Sequence, residues 1–308
     1  MKGDHNMSGF FVTRATISKP VSIEGRGLHS GANINLRLVP ASAKSGIRFV
    51  RTDLNVEIQG LHTEISNTKL ATRLGTGQNQ ISTVEHLLAA CSAWGIDDLS
   101  VEVDGPEIPL MDGSSSAFVF LLERAGRKEF PGIPREYLRI KKEIMIQMGK
   151  SYVELSPSNK NQLIINGSFD YDHPKLRHQK LTYTHTQKNF LNELCSARTF
   201  CFLRDIEVMR EQGLIKGGSL QSAVVLDDNS VLNPEGLRYP NEMVRHKILD
   251  CIGDLYLAGY PILGSLDVHC GGHEVHRLVL NAIFEDKEAF EIVDFADSLD
   301  QLPELAYA

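Results

Sequence analysis

The sequence predicts an α+β fold in which one small module is used twice. Three observations carry this. Stretches that alternate apolar and polar residues, the mark of half-buried strands, lie on either side of amphipathic helical stretches. A run of helix, short strand, glycine-containing loop and helix occurs around residues 86–124 and again around residues 246–284. Each run carries a histidine on its first helix: His86 stands 26 residues before Asp112, and His246 stands 27 residues before His273. Two similar halves facing each other would bring those histidines into one cleft, where binding sites commonly lie.

The elements follow in order. Residues 13–20 alternate, residues 21–24 continue, and Gly25-Arg26-Gly27 supplies a turn before residues 32–39, where Ile34, Leu36 and Leu38 alternate with polar neighbours. A helix is expected over residues 83–94, apolar along Val84, Leu87, Leu88 and Cys91, with Ser82 as N-cap and Gly95 as its stop. A short strand at 99–103 leads to Asp112-Gly113-Ser114 and a second helix over 115–124. Phe130-Pro131-Gly132-Ile133-Pro134 reads as the linker between an N-terminal domain, 1–130, and a C-terminal domain, 131–308. Beyond it come strands at 138–148, 152–156 and 163–169, a helix at 204–212, the Gly217-Gly218 turn and a strand at 223–226. A long helix over 242–258, a strand at 265–268 and a helix after His273 complete the second half.

Length and composition bound the function. At 308 residues the chain can bury two ordinary cores. Its 42% hydrophobic and 23% charged residues are the balance of a globular protein. No apolar run is long enough to span a bilayer, and residues 1–9 are polar rather than a signal peptide, so a cytoplasmic location is expected. Five cysteines without a CxxC pair argue against a disulfide framework and against a cysteine-built zinc site. A net charge of −7 without a Lys/Arg block argues against nucleic acid as partner.

The most informative segment runs from Arg245 to Asp254. On a helix, His246, Asp250 and Asp254 sit at i, i+4 and i+8 and share one stripe. An imidazole and a carboxylate at i, i+4 suit two ligands of one zinc ion; an ordinary surface His–Asp pair is the alternative. Glu85-His86 offers a ligand and, about 100° round the helix, a carboxylate able to reach a water. The string from His269 to His276 looks like a metal cluster in its own right. A histidine at the mouth of the Gly271-Gly272 loop, His273, is equally well placed for proton transfer. His5, His29, His62, His173, His178 and His185 have no evident partners in the sequence.

These pieces resemble the UDP-3-O-acyl-N-acetylglucosamine deacetylase family, zinc amidases of bacterial lipid A biosynthesis. The matching stretches include Gly27-Leu28-His29-Ser30-Gly31, Ser82-Thr83-Val84-Glu85-His86-Leu87, and Glu107-Ile108-Pro109-Leu110-Met111-Asp112-Gly113-Ser114. They continue with Ala197-Arg198-Thr199-Phe200, Phe202-Leu203-Arg204-Asp205-Ile206, and the helix from Arg245 to Tyr256. The likeness runs from about residue 16 to 282 in family order.

The resemblance implies two similar domains, each a sheet backed by two helices and carrying a small insert, packed with helices inward. It implies Zn2+ held by His86, His246 and Asp250, with Fe2+ able to replace it, and a fourth position left for water. Glu85 would be the general base, and Thr199 and Lys247 would stabilise the developing oxyanion. His273, oriented by Asp254, would serve the leaving amine. The substrate would be a UDP-sugar bearing a fatty acyl chain, and the enzyme a monomer. An insert over residues 197–225 would form a hydrophobic acyl passage, with Phe200, Ile206, Leu214, Ile215, Gly218 and Val225 as its residues. Three positions depart from the family pattern: Cys270 in place of a basic residue, His276 in place of Asn, and Ala71 in place of Cys. Cys270 keeps open an amidase of the same fold acting on another N-acetylated sugar. A non-catalytic acyl-binding relative is the other alternative, but it would have no use for Glu85, His86, His246, Asp250 and His273 together.

Overall fold

A computed structural model of the protein describes residues 10–174 and 176–295. His5 and the outer ends of the two predicted domains, residues 1–9 and 296–308, lie outside the described residues.

Strand alternation builds the first sheet. Ile34, Leu36 and Leu38 on Asn33–Pro40, and Leu99, Val101 and Val103 on Leu99–Val103, are buried while their neighbours are more exposed. Five strands assemble in the order Val21–Arg26, Asn33–Pro40, Leu99–Val103, Ile47–Arg51, Val56–Gln59. Helices α1 (Glu85–Trp94) and α2 (Ser116–Ala125) share the core with them. The second half repeats the plan. Its seven-stranded sheet centres on Ile262–His269, which is antiparallel to Ser151–Ser156 and parallel to Leu163–Phe169. In the first half Leu99–Val103 is likewise antiparallel to Asn33–Pro40 and parallel to Ile47–Arg51.

The duplication read from the helices thus extends to strand pairing. Each half runs hairpin, hairpin, insert, helix, central strand, helix. The first insert is a three-stranded sheet of Ile65–Asn67, Arg73–Thr76 and Asn79–Ser82. The second contains a one-turn helix α3 (Gln187–Asn189), a parallel pair Phe200–Phe202 and Val224–Leu226, and α4 (Leu203–Glu211). Helices α5 (Glu242–Leu255) and α6 (His273–Glu285) complete the second module.

The helices do face inward, and α1 packs on α5. Gly253 permits the approach: a Cβ there would stand 2.0 Å from the Glu85 carbonyl oxygen. Main chain meets main chain at the residue before the first histidine. We expect Gly253→Ala to destabilise the protein by about 3 kcal/mol through overpacking, measured by urea unfolding.

Four local expectations need correction, the first being the strand read over 138–148, which is two strands, Tyr137–Ile140 and Ile144–Met148, at different places in the sheet. Ser82 does not cap α1. Its backbone pairs with Pro106 and Ile108, Thr83 turns the chain at φ 60°, and Val84 occupies the N-cap position without a side-chain bond. Phe130–Pro134 is not a linker but the second half of a strand, Arg127–Pro134, antiparallel to Thr13–Ile17. This two-stranded ribbon tolerates Pro131 and Pro134 because its other edge needs no donors. The long helix ends at Leu255, and Tyr256–Ala258 forms a 3-10 turn closed by left-handed Gly259.

Candidate active site

The crossing of α1 and α5 sets the site. His86 and Glu85 occupy the first turn of α1, and His246, Asp250 and Asp254 follow one stripe of α5, all at most 3% exposed. Glu85, His86, His246 and Asp250 line a cleft of about 320 Å3 between the two halves, as do Leu28, Thr199, Phe200, Lys247 and His273.

Asp250 Oδ1 stands 3.2 Å from His246 Nε2 and 3.4 Å from His86 Nε2, yet takes no hydrogen bond. Ligand atoms on a tetrahedral ion with bonds near 2.0–2.1 Å are spaced by roughly 3.3 Å, so these lone pairs have the separation of three ligands of one metal. His246 donates from Nδ1 to the Ala197 carbonyl at 3.1 Å, which leaves the Nε2 lone pair facing the common point. Burial pushes the pKa of His246 down to about 3, keeping it neutral. Burial works the other way on Asp250, but His246 and Lys247 hold its carboxyl well below the usual range. The donor set fits a divalent ion with N/O preference.

The string from His269 to His276 divides. His273 Nδ1 and His276 Nδ1 lie 2.8 and 2.7 Å from one oxygen, Asp254 Oδ2. Those separations are hydrogen bonds, shorter than ligand spacings around a tetrahedral ion. His269 turns away, bonding Ser168 Oγ at 2.9 Å and stacking on Tyr152. Asp254 also accepts the Thr72 hydroxyl. Burial opposes charge on His273, but Asp254 and then Glu85 lift its pKa to about 9.

Glu85 faces the cleft opposite His273. Its Oε2 accepts the Thr72 N–H at 3.1 Å, and its Oε1 lies 3.9 Å from His273 Nε2. Burial pushes its carboxyl up, against the pull of His273 and His86. Lys247 Nζ lies 3.2 Å from Asp250 Oδ2 and 5.7 Å from the Phe200 ring.

Thr199 is placed from both halves. Its N–H donates to the Gly113 carbonyl at 2.8 Å, and Gly113 at φ 80° comes so close that a Cβ would stand 2.1 Å from the Ser222 carbonyl oxygen. The neighbouring Arg198, 1% exposed, bonds Glu242 at 2.9 Å, Glu235 at 2.6 Å and the Gly236 carbonyl at 2.7 Å. That network ties Ala197 and Thr199 to the first turn of α5. Arg198→Ala would strand Glu242 uncompensated in the core; we expect a loss of about 3–5 kcal/mol, again read by urea unfolding.

Comparison with known proteins now bears on this cleft. The model of the UDP-3-O-acyl N-acetylglycosamine deacetylase family matches residues 14–285. The chain belongs to this family. A UDP-3-O-acyl-N-acetylglucosamine deacetylase of Sulfurimonas denitrificans is 42% identical over 295 residues, covering 96% of this chain and 99% of the relative. Relatives of the same name from Anaeromyxobacter sp. and Myxococcus xanthus are each 43% identical, covering 92% and 90% of this chain and 93% and 88% of their own. As a member of this deacetylase family, the protein is a metalloenzyme. No described helix is long and apolar enough to cross a membrane.

The residues expected for the acyl passage of this deacetylase occupy the second insert. Phe200 lines the cleft; Ile206 lies on α4, Val225 is buried in the Val224–Leu226 strand, and Leu214, Ile215 and Gly218 follow α4. A Cβ on Gly218 would stand 3.6 Å from Leu28 of the cleft wall and 3.7 Å from Ile215. Leu28 belongs to the Gly27–Gly31 loop, whose His29 and Ser30 N–H groups donate to buried Glu107 at 2.9 and 2.7 Å. Three participants escaped the sequence reading. The Thr72 N–H and the Ala197 carbonyl are backbone groups, which leave no residue signature, and His276, named above only as a departure from the family pattern, gives no sign in the sequence of its bond to Asp254.

Proposed function

We propose that this protein hydrolyses the acetamide of a UDP-3-O-acyl-N-acetylglucosamine, releasing acetate and the free 2-amine, the committed step of lipid A biosynthesis. The observation that carries the reading is the pairing of a three-donor metal cradle with a buried carboxylate and a carboxylate-bound histidine on opposite sides of one cleft. Family membership supplies the substrate class.

His86, His246 and Asp250 would hold the ion, which we assign as Zn2+ with Fe2+ as a substitute, since two imidazoles and a carboxylate suit both. When bound it supplies a Lewis acid and lowers the pKa of a water molecule. Glu85, its Oε2 fixed by the Thr72 N–H, takes a proton from the attacking water at Oε1. Thr199 and Lys247 polarise the acetamide carbonyl and stabilise charge on its oxygen. His273, protonated below about pH 9, gives a proton to the leaving amine while Asp254 fixes its ring. Because the acid form is required, kcat/KM falls as pH rises through that value. We expect an alkaline limb near pH 9, measured as a rate profile for acetate release.

Phe200, Ile206, Leu214, Ile215, Gly218 and Val225 would wall the acyl chain; the Gly217 N–H, which donates to the Leu28 carbonyl at 2.9 Å, supports this by joining the insert to the cleft. We divide the chain near residue 130 into two domains, following the repeated strand order. We take the protein to be a monomer, as the family resemblance implies, and five free cysteines suit a reducing cytoplasm.

The test is metal-dependent turnover. Chelated protein should release no acetate and regain activity with Zn2+ or Fe2+. Undiminished activity in metal-free protein would remove the reading.

A further inference from the structure

We propose that His276 is a positioning residue for this reaction, acting on His273 through the one carboxylate that both imidazoles share. The inference rests on His273 being the residue that serves the leaving amine. Both Nδ1 atoms converge on Asp254 Oδ2, at 2.8 Å from His273 and 2.7 Å from His276, while Asp254 Oδ1 holds the Thr72 hydroxyl. The two histidines are one turn apart on α6, so they descend on α5 from the same face. Their rings are 6.4 Å apart and nearly perpendicular, at 87°. His276 is 1% exposed and does not line the cleft, so it touches no substrate.

A carboxylate oxygen that accepts two N–H donors holds each of their protons less strongly than if it accepted one. The sign is the same in either state of His276. A neutral ring draws on the acceptor capacity of Asp254, and a charged ring adds repulsion toward His273. Burial opposes that charge, but the Cys251 thiol and Asp254 lift the His276 pKa to about 10. The groups facing the pair are Glu85 and His86 on α1, Asp250, Cys251 and Asp254 on α5, and Thr72 from the first insert. Removing His276 leaves the others in place and gives His273 sole use of Oδ2. The proton on His273 is then held more tightly, and its ring loses a neighbour that fixes the orientation of Asp254.

The test follows the His273 imidazole by NMR titration in the full chain, metal-free and Zn2+-loaded, alongside pH profiles of acetate release. His276→Leu should move both the His273 titration and the alkaline limb upward by about one pH unit. In the same variant kcat at neutral pH should fall several-fold with KM unchanged. His276→Asn, whose amide can still donate to Asp254, should shift less, and it carries both readouts if the Leu variant does not fold. An unmoved His273 titration in the folded variants would overturn the proposal. His273→Gln separates the two claims: a parent-like alkaline limb there would refute the role of His273. A limb lost there, with no shift in either His276 variant, would refute only the role of His276.

Discussion

Glu85→Gln is expected to lower kcat for acetate release by about 10^2- to 10^4-fold, the usual contribution of a general base. The amide keeps the size of the side chain and cannot take a proton. Thr72 N–H still has an oxygen to donate to, so the first turn of α1 keeps its shape. The variant should bind metal like the parent, because the three donors are on His86, His246 and Asp250. Its stability should hold or rise, since burial already disfavours the charge on Glu85. Measuring kcat, metal content and urea unfolding together separates this outcome from general damage. A variant that retains near-parent kcat would leave the site without its base.

Asp250→Ala should abolish both activity and metal retention. Asp250 Oδ1 is the atom that His86 and His246 both face, and Asp250 Oδ2 is the partner of Lys247 Nζ. Without it two imidazoles remain, and Lys247 stands beside them with its counter-ion gone. Dialysed protein is expected to drop from about one ion per chain, as one three-ligand site would hold, to near none, measured by elemental analysis. The loss should exceed that in Glu85→Gln, where the ion stays. Full metal content in Asp250→Ala would place the ion elsewhere.

The framework of the site was legible because helix periodicity speaks directly about direction. His246, Asp250 and Asp254 had to share a stripe of α5, and the matching spacing around His86 and Asp112 announced the second module. The strand repeat was less visible. Ile47–Arg51 buries Arg51 among its inward residues, held by Asp53 and the Gln80 carbonyl, so its alternation does not read as apolar and polar. The start of α1 misled for a related reason: Ser82 has the chemistry of a cap, but the left-handed turn at Thr83 spends that position on strand pairing. The linker expectation failed because Pro and Gly punctuate edge strands as well as loops. What could not be read at all was the second sphere of contacts. The roles of Thr72, the Ala197 carbonyl and His276 come from long-range approach, across 13 residues from Thr72 to Glu85 and 49 from Ala197 to His246.

The central claim is that this cleft cleaves an acetamide and leaves the acyl ester intact. Mass spectrometry of the product formed from a UDP-3-O-acyl-N-acetylglucosamine by the Zn2+-loaded protein tests it directly. The account predicts loss of one acetyl group, matched by equimolar acetate, with the fatty acyl chain retained. Release of the fatty acid, or an unchanged substrate in the presence of folded, metal-loaded protein, would contradict it.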